Sequence, residues 1–325
     1  MRIILHLGTY KTGTSTFQNF LFENRDFLLD QGILHPRTGI TNTQNLGHRH
    51  APLVLNYLSG KSDACPAALL HELETSTAHT AIISSEAWSN PLHFSHLTRF
   101  VTSLEENGYT DITGVLALRN IVNYQVSHYR EFIVNQKNSH NYWRYVTRDI
   151  GTFNYLFLAR TYRSIFGDNF LALPFDGSAD ITIDLFQKMG FGHLYNEMKR
   201  AERANVKSVG PLEVEAMRCA NLLSVHKKSA LSALSSVLSQ DSNVKKQVWT
   251  ERFIGDTPEF STVYRKNLSN ELDWSDAAID ILLGQVDPYG RNVQEVSDAI
   301  ISNLSSGFTT RIFQVRRLVK RLIQP

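Results

Sequence analysis

An α/β fold, a three-layer sandwich on a central parallel sheet, is what this sequence predicts, on three observations. Five short apolar runs alternate with segments of helical period over roughly the first 200 residues, the pattern of strands joined by helical crossovers. The first run leads through a loop with two glycines into a helix. After about Lys199 the strands stop and helical patterns continue.

Taken in order, "RIILHL" (2–7) is a short, β-branched, largely apolar run, suited to a strand buried on both faces. Phe17, Phe20, Leu21 and Leu28 then fall at helical spacing, predicting a helix from Thr14 to about Asp30. "QGILHP" (31–36) is a second strand closed by Pro36, and the polar stretch 37–52 is a long loop. Leu69 to Thr77 reads as helix and "TAIISS" (80–85) as the third strand. A helix from Phe94 to Asn107 stops at Gly108 before the fourth strand, "ITGVLALR" (112–119). A helical stretch follows to about Lys137, then a loop over 137–152, a helix from Asn154 to Phe166 and the fifth strand, "NFLALPFD" (169–176). Beyond it 211–226, 228–240 and 289–304 are helical and 255–288 is mixed and loop-rich. The expected division is an α/β core over 1–200 and a mainly helical extension over 201–325.

The composition suits a globular chain, with 42% hydrophobic and 20% charged residues among 325. The formal charge is only +2, from 33 basic and 31 acidic residues, so no global field draws nucleic acid and none is expected as a partner. Cys65 and Cys219 lack metal-ligand spacing and suit free thiols in a reducing compartment. The N-terminal apolar run is too short for a signal peptide and no run reaches the ~20 residues of a membrane span, so a cytoplasmic protein is expected.

The chemistry is concentrated in "HLGTYKTGTSTFQNFL" (6–21). Gly8 and Gly13 have the gap of a Walker A loop, but Thr14 follows Gly13 and the lysine, Lys11, lies inside the loop. Backbone amides of residues 11–16 and the positive end of the following helix still suit an anion. The third strand ends in Ser-Ser-Glu and the fourth in Arg, so there is no Walker B aspartate and ATP with Mg²⁺ fits poorly.

"KTGTS" between a first strand and a helix resembles the 5′-phosphosulfate loop of sulfotransferases that use 3′-phosphoadenosine 5′-phosphosulfate (PAPS), whose fold is P-loop NTPase-like. The resemblance covers about residues 1–210 and implies that Lys11, Thr12, Gly13, Thr14, Ser15 and Thr16 hold the donor's phosphosulfate. It further implies that an arginine ending the fourth strand and a serine eight positions on, here Arg119 and Ser127, hold its 3′-phosphate. Asn120-Ile121 stands where the family commonly has Asp-Pro. Asn205 and Ser208 match an Asn-x-x-Ser that precedes a helix in bacterial members, and carry no assigned role.

Sulfuryl transfer to a hydroxyl needs a cation at the leaving oxygen, a task for Lys11, and a base for the hydroxyl proton. The base is Glu86, just past the third strand, or a histidine of "GHRH", His48 or His50. A helix-start carboxylate is the alternative role for Glu86. The tail over 307–325 is basic, with Arg316, Arg317, Lys320 and Arg321 beside an apolar stripe. It suits docking on the domain, or peripheral contact with an anionic membrane.

The sequence thus leads to a PAPS-dependent sulfotransferase acting without a metal on a hydroxyl of a carbohydrate or glycan. A P-loop kinase using ATP and Mg²⁺ is the second reading.

Overall fold

Five strands form one sheet in the computed structural model of the chain, which describes residues 1–41, 48–51, 53–54, 64–176, 180–200, 209–240 and 262–284. They are β1 (Arg2–His6), β2 (Ile33–Leu34), β3 (Thr80–Ser84), β4 (Ile112–Arg119) and β5 (Phe170–Phe175). Their order is β2-β3-β1-β4-β5 and every neighbouring pair is parallel. The five strands expected from the apolar runs are all present, in the α/β architecture they imply.

The helices among the described residues are α1 (Thr14–Glu23), α2 (Arg25–Asp30), α3 (Ala64–Thr75), α4 (Phe94–Glu106), α5 (Ile121–Asn135), α6 (Tyr142–Arg148) and α7 (Ile150–Phe153). They continue as α8 (Tyr155–Phe166), α9 (Ile181–Met189), α10 (Pro211–Leu223), α11 (Lys227–Gln240), α12 (Thr262–Leu272) and α13 (Asp276–Leu283). The predicted helix to Asp30 is two helices, because Asn24 is drawn out to the chain at Lys199. Its Nδ2 donates to the Lys199 carbonyl at 2.9 Å and its Oδ1 accepts from the Lys199 amide at 2.7 Å.

Two stretches read as loops are partly helical. Residues 137–152 hold α6, started by the Asn141 side chain accepting from the Arg144 amide, and α7. Residues 255–288 hold α12 and α13. The former is polar and buries only Leu268 and Leu272, so its helical period was faint. Tertiary bonds hold the pair: Arg163 donates twice to the Glu271 carbonyl, and Asn120 Nδ2 donates to the Gly284 carbonyl at 3.0 Å. Asn120 Oδ1 also accepts from the Val122 and Asn123 amides, so the residue standing where Asp-Pro was expected caps α5. The segment 289–304, the tail 307–325, Asn205 and Ser208 lie outside the described residues.

The described residues fall into two compact units, 125–149 with 209–240 and all the others. In the sheet unit, Ile4, Ile82, Val115 and Leu173 form a core with Phe17, Phe20 and Leu21 of α1 and Leu185 and Phe186 of α9. Each such side chain contributes about 1.5–3 kcal/mol on burial. A separate aromatic group, Trp88 stacked on Phe100 with Tyr162 hydroxyl donating to the Trp88 carbonyl, secures α4 and α8. In the second unit α10 and α11 meet through Ala216, Ala220, Ala230 and Ala233.

Gly114, mid-strand in β4, is closely packed: a Cβ there would lie 2.6 Å from the Phe166 ring. Gly114→Ala should therefore cost about 1–3 kcal/mol by overpacking. A lowered urea midpoint, recovered when Phe166→Leu is added, checks it.

Candidate functional site

The strand order places the site. From β1 the chain crosses toward β2 on one side, and from β4 it crosses toward β5 on the other, so the connections leaving these two paired strands diverge at their carboxyl ends. Crevices of this kind hold ligands in open α/β sheets. The loop after β1 and the last residue of β4, Arg119, meet there.

The loop is built by local necessity. Gly8 and Gly13 have φ of 49° and 76°, a region that side chains disfavour. A Cβ on Gly8 would meet the Thr14 methyl at 2.8 Å, and one on Gly13 would meet Ile181 at 2.7 Å. Thr9 donates its hydroxyl to the Ala117 carbonyl at 2.9 Å, and Thr12 donates to the Thr9 carbonyl at 2.7 Å. Both threonines are buried, so they hold the loop and do not reach outward.

Lys11 also sits at positive φ, 68°, an uncommon posture for a side-chain-bearing residue. Arg119 supports it directly: Nη1 donates to the Lys11 carbonyl at 2.7 Å. Arg119 is positioned in turn by the Tyr155 hydroxyl, which donates to its carbonyl at 2.8 Å. Burial lowers the guanidinium pKa from its usual value, with the neighbouring Tyr155 acting against that.

Gly13 begins α1, and no side chain caps it. The first-turn amides therefore face the crevice with the helix dipole behind them. Thr14 is buried, Thr16 half-buried and Ser15 exposed. The two glycines, Lys11 and Arg119, 106 or more positions apart in sequence, thus share one edge of the sheet.

Glu86 opens a short turn (Glu86–Ser89) directly after β3 and is 5% exposed. Its Cα and Cβ lie 3.5 and 3.4 Å from where a Cβ on Gly8 would be. Gln18 Nε2, one turn into α1, donates to Oε2 at 2.9 Å, and Arg49 pairs with Oε1. Sequence reasoning took the two histidines of "GHRH" and passed over the arginine between them. Gln18 was missed as well, though its polar side chain on the first turns of an otherwise apolar α1 face was a signal.

His48 and His50 part company. His50 is buried; its Nδ1 accepts from the Ser84 amide at 3.1 Å, and its Nε2 donates to the Pro36 carbonyl at 3.0 Å. Burial holds its pKa down at about 4, opposed by the bond to Pro36. His48 stacks on Phe22 with centroids 3.5 Å apart, and its Nδ1 meets Asn19 Oδ1 at 3.1 Å. Burial and nearby Arg25 lower its pKa too. Behind both, His6 meets the Ser84 hydroxyl at 2.8 Å, and burial pushes it down to about 3.

Ser127 lies on α5, half-buried, and belongs to the second unit. Among the described residues no group of three His, Cys, Asp or Glu could hold a metal, and no helix is long and apolar enough to cross a membrane.

No family model matches the chain, and no curated relative matches it. A solved structure, the crystal structure of a sulfotransferase from Alicyclobacillus acidocaldarius, is similar over 88% of this chain and 97% of that one, at 12% identity and a TM-score of 0.34. A likeness this slight carries no function, and the chemistry of the site has to do so.

The buried histidines make stability depend on pH. His6 and His50 have folded pKa values of about 3 and 4, below the ordinary 6.5, so they remain neutral in the fold while the unfolded chain takes up protons. Stability should be fully present above about pH 6.5 and fall as pH drops toward 4, by about 1.4 kcal/mol per pH unit for each histidine. Urea unfolding from pH 7.5 to 4.5 measures the slope. His50→Asn, though less stable at neutral pH, should have a slope shallower by about one proton.

Proposed function

We propose that this chain transfers a sulfuryl group from PAPS to a hydroxyl, with a carbohydrate or glycan as the acceptor class. The observation that carries the reading is the bond from Arg119 to the carbonyl of Lys11. It ties the backbone of the loop that carries Lys11 to the arginine that ends β4.

In this reading the loop amides of residues 11–16 and Lys11 hold the donor's 5′-phosphosulfate. Arg119 takes the 3′-phosphate, and the sequence offers Ser127 as its helper. The acceptor oxygen attacks sulfur in line as the bond from sulfur to the 5′-phosphate oxygen breaks. Lys11 and the α1 dipole stabilise the charge that grows on that oxygen. Glu86 accepts the hydroxyl proton, because it alone among the three base candidates both abuts Gly8 and is a carboxylate with lone pairs left over. His50 has both ring nitrogens committed, and His48 is turned onto Phe22. Thr14 stands where a Walker A loop has its lysine, which weakens the case for a kinase.

The donor comes first in testing. 3′-Phosphoadenosine 5′-phosphate should raise the melting temperature without Mg²⁺, adding about 2.7 kcal/mol at ~100 times its dissociation constant. Adenosine 5′-phosphate should do much less. Equal effects would remove Arg119 from the 3′-phosphate, and stabilisation by ATP with Mg²⁺ alone would favour the kinase. Lys11→Ala should lower turnover more than it weakens binding of this product.

For the base, Glu86→Gln keeps the shape and the bond to Gln18 within reach but removes the basicity. Turnover of radiolabelled PAPS with a responsive glycan should fall about 10²- to 10⁴-fold while nucleotide stabilisation persists. Full activity in Glu86→Gln together with a dead His48→Ala would move the base to His48.

A further inference from the structure

The Arg49–Glu86 pair is lopsided. The Glu86 side chain is 7% exposed and that of Arg49 is 23%, so the carboxylate is the more deeply buried partner. One nitrogen, Nη1, serves Glu86. Gln18 serves the other carboxylate oxygen, so Glu86 needs nothing further from the arginine. The buried Nε of Arg49 has no partner, and no bond joins its Nη2 to any described residue.

This arginine is also held still. Thr41 forms a strand-like bridge with it, its amide and hydroxyl both donating to the Arg49 carbonyl at 3.1 and 3.2 Å. On its other side His50 is fixed between Pro36 and Ser84. A guanidinium presents its donors as a planar fork, so fixing one edge on Glu86 aims the rest. Nearby, Arg25 lies 4.5 Å from the Phe22 ring that carries His48, and its Nε too is buried without a partner. An unmade bond at a buried N–H is costly, so each of these donors is available to a ligand at a gain.

We propose that Arg49 binds an anionic group of the acceptor, a carboxylate or sulfate carried close to the hydroxyl that Glu86 deprotonates. The inference rests on the sulfuryl-transfer reading and narrows its acceptor class to acidic carbohydrates. Because the fork's first edge holds the base and its second holds the acceptor, the acceptor is registered against Glu86 by one side chain. The donor's own charges are met elsewhere, by Lys11, the loop and Arg119, and Arg49 stands at the far end of the Glu86 side chain from the Gly8 backbone.

The test uses the full chain saturated with 3′-phosphoadenosine 5′-phosphate and titrated calorimetrically with para-nitrophenyl β-D-glucuronide and para-nitrophenyl β-D-glucoside. These probes differ in one carboxylate. The glucuronide should bind about tenfold tighter or more, the worth of a charge-assisted bond, and Arg49→Gln should bring the two within about threefold. A merely structural role would weaken both probes alike. Arg49→Lys should keep part of the preference, since it keeps the charge and loses the fork. Should Arg49→Gln alone fail to bind the nucleotide, the double variant Arg49→Gln/Glu86→Gln, which leaves no lone buried charge, is read the same way. Equal binding of the probes by the wild-type protein, no binding of the glucuronide at millimolar concentration, or a preference that survives loss of Arg49 overturns the inference. If the nucleotide fails to stabilise the wild-type protein, the transfer reading falls and takes the inference with it; nucleotide binding without an acidic preference removes the inference alone.

Discussion

Ser84 is where the site's parts are tied together, and the tie follows from one constraint: a buried polar group must find a partner. As the last residue of β3, Ser84 has no room for water around it. Its hydroxyl meets His6 of β1 and accepts from Gln18 of α1 at 3.2 Å. Its amide donates to His50 and its carbonyl accepts from the His50 amide at 2.8 Å. One small residue thereby joins two strands, the loop-bearing helix and the 48–50 segment. Gln18 passes the order on to Glu86, and Glu86 passes it to Arg49.

Such a network stabilises little on balance and costs much when incomplete. A hydrogen bond is worth about 0.5–1.5 kcal/mol net, but an orphaned buried partner costs about 1–3 kcal/mol. The histidines illustrate how the cost is limited: burial keeps His6, His35 and His50 neutral, which avoids the desolvation of a charge, and His50 engages both ring nitrogens. Glu86 is the exception, a carboxylate retained inside, and it is the one residue of the group flanked by an arginine and an amide.

At the crevice itself the same economy serves a different end. The loop spends its threonine hydroxyls inward, on Ala117 and Thr9, and so is braced from within. The strained posture of Lys11 persists because Arg119 grips its carbonyl. Rigidity here comes from the sheet, since β1 and β4 are neighbours and their ends cannot move apart without breaking the ladder.

Much of this was legible in the residues. Strands buried on both faces appear as unbroken apolar runs, so all five could be read, and the glycines of residues 8 and 13 announced a loop of fixed posture. Arg119 and Glu86 were readable as strand-end residues because parallel strands put their carboxyl ends on one edge. Three things were not. Helices α12 and α13 were hidden because their stability comes from docking on α8 and Asn120, and not from a strong period of their own. The fates of His48 and His50, two residues apart, were settled by which backbone groups needed partners. Arg49 looked like any loop arginine until β3 brought Glu86 beneath it. Local pattern determined the elements and the glycine loop; the pairing of groups 37 to 108 positions apart was decided only by the order of the strands, because hydrogen bonds and charges act over a few ångströms in space and carry no trace along the chain.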